Sequence, residues 1–282
     1  MSLDKLINLL VTVTLIEMMI AIGLGVTLAD ILSVVRNRRL LARAALANYV
    51  CVPIAAVGLL LLFRAQPMVA AGFLIAAVCP GAPYGPPFTV LAKGNVAASV
   101  GLMVVLAASS AVAAPLLLRV LLPWLGCDSQ SVDAGKMVVT LLATQLLPLC
   151  VGVAIRQWRP SLAAGLLKPA SRLSAVLNLT AIALILAVQF QSLTAIRPSG
   201  FLGMLALVST ALAAGWVLGL PGSGNRRVMA ITTSVRNVGV GLVIATSSFP
   251  GTPAVTATLA FALFQTVVIA LVAAGWGRLA PG

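Results

Sequence analysis

Cys79-Pro-Gly-Ala-Pro-Tyr-Gly-Pro-Pro87 packs four prolines and two glycines into nine residues. No helix runs through such a stretch, because each proline removes a backbone donor and its ring collides with the carbonyl one turn back. Yet Met68 to Val78 before it and Phe88 to Ala92 after it carry no charge. Together they are long enough to cross a bilayer, which takes about 20 residues. Interrupted backbone at membrane depth persists only where it is buried in protein or lines a water-filled cavity. The stretch therefore predicts a broken membrane helix with a site at its break.

The rest of the chain supports a lipid environment. Of 282 residues, 61% are hydrophobic and 8% charged, against about 25% charged in a soluble domain. Nine apolar runs are long enough to span, at about 7–31, 44–64, 68–92, 96–123, 136–155, 173–191, 201–219, 227–248 and 254–277. The first is too long for a cleaved signal peptide and reads as a retained span. The chain reads as one all-α membrane domain over residues 1–282, with the lipid bilayer as its main partner.

The net charge of +13 does not point to nucleic acid, because the basic residues sit in short loops between apolar runs. Alternate loops hold Arg36, Arg38, Arg39 and Arg43, then Lys93, then Arg156, Arg159, Lys168 and Arg172, then Arg226 and Arg227, then Arg278. The opposite side holds only Lys5, Arg64, Arg119, Lys136 and Arg197. That asymmetry predicts a multi-pass plasma-membrane protein with its N-terminus outside and its C-terminus in the cytoplasm.

The eighth run is also irregular. Thr232-Thr-Ser-Val-Arg-Asn-Val-Gly-Val-Gly241 is polar and glycine-containing at mid-length. One interrupted span in each half of a chain is the pattern of transporters built from inverted repeats, with the site near the bilayer midplane. Arg236 lies in this stretch. A guanidinium there costs about 2.5–3.5 kcal/mol on insertion scales, so it needs a partner or a task. Glu17, about ten residues into the first run, lies at similar depth. It is expected to pair with Arg236 as a gate, or to serve as a protonatable coupling group. The chain has no histidine, and Cys51, Cys79, Cys127 and Cys150 lack metal-ligand spacing. No metal, cofactor or enzymatic acid–base chemistry is expected.

Several motifs resemble the bile acid:sodium symporter family. Leu24-Gly-Val-Thr-Leu28, Ala47-Asn-Tyr-Val-Cys-Val-Pro53, Cys79-Pro-Gly81, Leu91-Ala-Lys-Gly-Asn-Val-Ala-Ala-Ser99, Asn237, Phe249-Pro250 and Phe264-Gln265 fall in the family's order and spacing. The resemblance implies an inverted-repeat transporter fold with two broken, crossing helices. It implies a panel of about 7–31 and 136–191, and a core of about 44–123 and 201–277, with a small organic anion bound between them. It also implies departures. The family's oxygen ligands for sodium fall here on Pro83, Gly85, Pro86, Met103 and Arg236, which leaves Asn48, Ser99 and Thr232 as a degenerate ion site without a carboxylate. Arg236 then supplies the positive charge that sodium supplies elsewhere. Gly81, Ala82, Tyr84, Thr233, Arg236 and Asn237 are the candidate substrate-binding residues, and sodium or a proton is the candidate coupling ion. The competing readings are a channel or a non-transporting ligand sensor on the same fold, and an arsenite-exporter-like transporter.

Overall fold

The structure, a computed structural model, describes residues 3–127, 133–194, 196 and 198–279, with the side chains of 192–194 left aside. Arg197 lies outside the described residues. Helices account for the fold, and among the described residues there is no strand. They are α1 (Leu3–Gly25), α2 (Leu28–Arg36), α3 (Arg38–Leu62), α4 (Pro67–Ala77), α5 (Gly85–Leu91), α6 (Val96–Leu125), α7 (Ala134–Trp158), α8 (Pro160–Thr194), α9 (Pro198–Leu218), α10 (Ser223–Ser234), α11 (Val238–Ser248) and α12 (Pro253–Leu279).

Eight helical stretches, not nine, are long and apolar enough to cross a membrane among the described residues. The predicted third span is divided between α4 and α5, neither of which is long enough alone. The predicted eighth span consists of α10 and α11 end to end.

Two boundaries differ from the sequence reading for local reasons. The first span stops at Gly25 rather than at 31, because Thr27 and Asp30 form a reciprocal capping box that starts α2. The sixth begins at Pro160, not at 173. Lys168 and Arg172, read as loop, are helical and exposed, as long basic side chains that reach the interface allow.

Packing places α1 against α7, α8 and α11. Gly23 and Gly152 make the first of these contacts possible. A methyl on Gly23 would lie 2.5 Å from the Leu149 carbonyl oxygen, and one on Gly152 would lie 2.4 Å from that of Ile20. Small residues of this kind let membrane helices approach backbone to backbone. Elsewhere α9 packs on α10, α4 on α12, and α6 on α2, α5 and α10. The interrupted α10–α11 pair is the most enclosed, with 89% of its most apolar window buried against 11% for α8. The break in the second half is thus surrounded by protein, which is the condition under which lipid tolerates it.

Candidate functional site

The first break follows α4. Val78 ends the helix, Gly81 adopts a left-handed φ of +81°, and Pro86 occupies the first turn of α5. Gly81 is also pressed against α6, where an added methyl would lie 2.3 Å from the Ala107 nitrogen and 2.8 Å from the Met103 oxygen. The second break has no proline. Val235 is extended, and Asn237 caps α11 by accepting from the Val240 N–H at 3.3 Å.

The two breaks meet through Asn237. Its backbone N–H donates to the Cys79 carbonyl at 2.7 Å, and its side-chain amide donates to the Gly81 carbonyl at 3.2 Å. Gln265 on α12 holds the neighbouring peptide. Its Oε1 accepts from the Arg236 N–H, and its Nε2 donates to the Arg236 carbonyl, both at 3.1 Å. These bonds replace the helical partners lost at the interruption, as buried backbone groups require.

Arg236 is only 2% exposed. One guanidinium nitrogen donates to Asn48 Oδ1 at 3.1 Å and another to the Thr233 carbonyl. Asn48 sits in a π-helical turn, Ala47–Cys51, within α3. Its amide nitrogen donates to the Ala44 carbonyl at 2.9 Å and reaches Thr233 Oγ1 at 3.5 Å. The guanidinium is thus bound to oxygen atoms, and among the described residues no carboxylate pairs with it.

The expected Glu17–Arg236 pair is not formed. Glu17 accepts from Ser174 Oγ on α8, while the guanidinium is enclosed with Asn48 and Thr233. Matching depth places two residues at one level, but it does not set the direction in which each helix points them.

The remaining candidates divide into three groups. Ser99 and Thr232 flank Gly85: a methyl on Gly85 would lie 3.9 Å from Ser99 Oγ and 3.8 Å from Thr232 Cγ2. Ser99 Oγ accepts from Thr89 at 2.9 Å, and Thr232 donates to the Val228 carbonyl at 2.8 Å. Asn48 is hydrogen-bonded to Arg236. Ala82 is buried beside the first break, whereas Tyr84 is 39% exposed, with its hydroxyl accepting from Asn178 of α8 at 2.7 Å. Asn178, Gln189 and Gln145 all make interhelical bonds, as lone polar residues in apolar runs must: Gln189 accepts from Thr256 at 2.9 Å, and Gln145 donates to the Ala107 carbonyl. The clamp by Gln265 and the contacts of Ser174 were not anticipated. The signal for Gln265 was its position as the one amide in the run 254–277.

A separate cavity of about 510 Å³ lies between α3, α4, α9 and α12 and is lined by Phe63, Arg64, Phe73, Met204 and Ala257 among others. No residue of either break lines it. Size alone favours this cavity as a ligand site. The breaks are the stronger candidate because their backbone groups and embedded charge have a chemical use there.

Residues 12–215 match the sequence profile of the Sodium Bile acid symporter family. YocS of Bacillus subtilis, described as an uncharacterized sodium-dependent transporter, is 25% identical over 285 residues, covering 98% of this chain and 86% of its own. "Probable sodium/metabolite cotransporter BASS1, chloroplastic" of Arabidopsis thaliana is 27% identical over 272 residues, covering 93% of this chain and 65% of its own. "Probable sodium/metabolite cotransporter BASS2, chloroplastic" of Oryza sativa subsp. japonica is 29% identical over 151 residues, covering 54% of this chain and 35% of its own.

Proposed function

Because the chain belongs to the sodium bile acid symporter family, we propose that it is a secondary transporter carrying a small organic anion across the plasma membrane by alternating access. The observation that carries this reading is the junction of the two helix breaks through Asn237, Cys79 and Gly81, with the Arg236 guanidinium fixed beside it. Counted with α4 and α5 as one crossing, the helices make nine spans. The excess of basic residues in alternate loops supports an external N-terminus and a cytoplasmic C-terminus. In this reading α1, α7 and α8 form the panel and the other helices form the core. Substrate sits between them, beside Ala82, Tyr84, Thr233 and Asn237.

Arg236 replaces sodium. Its guanidinium holds Asn48 Oδ1 and the Thr233 carbonyl, oxygen atoms of the kind a hard cation takes. A guanidinium stays charged at every ordinary pH, so the positive charge is permanent and internal. With its donors turned to Asn48 and Thr233, Arg236 acts on the anion through its field, not through a direct fork. Ser99 and Thr232 offer only hydroxyl oxygens, which are too few to hold a second ion.

Thermal unfolding of the purified protein against a panel of organic acids, in sodium and in choline buffers, tests this reading. At least one acid is expected to stabilise the protein equally in both buffers. A ligand at a hundred times its Kd adds about 2.7 kcal/mol to the folded state. Stabilisation that requires sodium would contradict the proposal. Saturable flux of the same acid in proteoliposomes separates a transporter from a sensor, and a lack of saturation would mark a channel.

A further inference from the structure

A cation fixed to the chain contributes a field but cannot run down a gradient, so the transporter reading, on which this inference rests, leaves the driving ion unassigned. Of the five acids, Asp4 and Asp30 lie in the first turns of α1 and α2, and Asp133 caps α7. Asp128 lies outside the described residues. Among the described acids, Glu17 alone stands well inside a span.

Its surroundings suit a group that changes charge. Glu17 is half-buried, and Ser174 Oγ donates to its carboxylate. The helices packed on α1 are α7, α8 and α11. Their charged or titratable residues are Lys136, Cys150, Arg156, Lys168 and Arg172, and none forms an ion pair with Glu17. Among the described residues, Lys136 pairs instead with Asp133.

Glu17 also lies level with the two breaks. Its neighbours Leu15 and Met18 press on the first turn of α11, where a methyl on Gly239 would lie 3.2 Å from Leu15 Cδ1 and 2.9 Å from Met18 Cε. Ser174 and Asn178 are one turn apart and share a face of α8. The first holds Glu17, and the second holds the Tyr84 hydroxyl at the first break. One face of α8 thus touches both the acid and the proposed substrate position.

We propose that Glu17 carries the coupling proton, so that transport is driven by protons rather than by sodium. Open to water on one side, the carboxylate takes a proton and becomes a carboxylic acid. In that neutral form the crevice closes over it without burying an unpaired charge. Open to the other side, the acid returns the proton to water. One O–H bond forms and later breaks, and no electrons are transferred. The face carrying Ser174 and Asn178 couples this change to Tyr84 and so to the bound anion.

The test uses the full chain in sodium-free proteoliposomes loaded with pyranine, with taurocholate as probe. Its sulfonate stays ionised and cannot follow a pH gradient by itself. Wild-type protein should accumulate taurocholate down an imposed proton gradient and acidify the lumen in parallel. Glu17→Gln should lose that accumulation at least tenfold while retaining taurocholate–taurocholate exchange. Undiminished gradient-driven uptake by Glu17→Gln, or equal loss of uptake and exchange, would overturn the proposal. An infrared pH titration without ligand judges Glu17 independently. A carboxylic-acid band that titrates and is missing from Glu17→Gln supports the role. A carboxylate that stays ionised from about pH 4, just below the ordinary glutamate range, to about pH 9, far above it, refutes it. If wild-type protein neither accumulates nor exchanges taurocholate, the failure counts against the anion reading, and the infrared result still decides on Glu17.

Discussion

Gly81→Ala is expected to yield almost no folded protein. Gly81 has a φ of +81°, and an added methyl would lie 2.3 Å from the Ala107 nitrogen and 2.6 Å from its α-carbon. Left-handed backbone alone costs an alanine about 1–2 kcal/mol. The collision is worse, because the opposing atoms are backbone of α6 and cannot rotate away. Moving Gly81 would also pull its carbonyl off Asn237 and separate the two breaks. The combined loss exceeds about 4 kcal/mol, the range reserved for severe core lesions, and a protein with about 5–15 kcal/mol of stability cannot absorb much more. Yield of monodisperse protein and its Tm report the effect. Gly58→Ala is the control, since nothing lies within 4 Å of a methyl there. A Gly81→Ala protein with wild-type Tm would show that the break does not pack as described.

Arg236→Gln is expected to convert a sodium-indifferent protein into a sodium-responsive one. Removing the guanidinium takes a positive charge away from the junction of the breaks. A unit charge about 8 Å from a carboxylate, at an effective dielectric of about 20, attracts it by about 2 kcal/mol. Anion affinity in choline buffer should therefore fall about thirtyfold. Asn48 Oδ1 and the Thr233 carbonyl lose their donors in the variant, and the introduced amide oxygen joins them. Three oxygens without a cation suit sodium, so added sodium should recover part of the affinity. Titration calorimetry in choline and in sodium measures both effects. Unchanged affinity in choline would show that the charge does not act on the substrate.

The first break could be read directly from its four prolines, because proline acts on local backbone and needs no tertiary context. The second was legible only as a polar patch. Its interruption spans Val235 to Asn237 and depends on bonds from Cys79 and Gln265, which are distant in sequence. The charge placement of Arg236 was readable, but its partners were not. The resemblance groups Asn48 with Ser99 and Thr232 but does not show that the π turn at Ala47–Cys51 also presents it to Arg236. Hydropathy misplaces helix ends where polar residues continue or start a helix. Lys168 and Arg172 lie in α8, and Thr27 starts a helix that hydropathy had merged with α1. Depth along a span comes from residue counting, but the direction of a side chain around it comes from packing. For that reason Glu17 lies beside residues that meet the second break, while its own side chain meets Ser174 rather than Arg236.

The central claim is that an organic anion binds where the two breaks meet. Anomalous diffraction from crystals grown with a brominated analogue of the most stabilising acid tests it most directly. The bromine peak is predicted within about 4 Å, ordinary contact distance, of the segment Ala82–Tyr84 or of Thr233–Asn237. A peak confined to the cavity lined by Phe63, Arg64 and Met204 would contradict the claim.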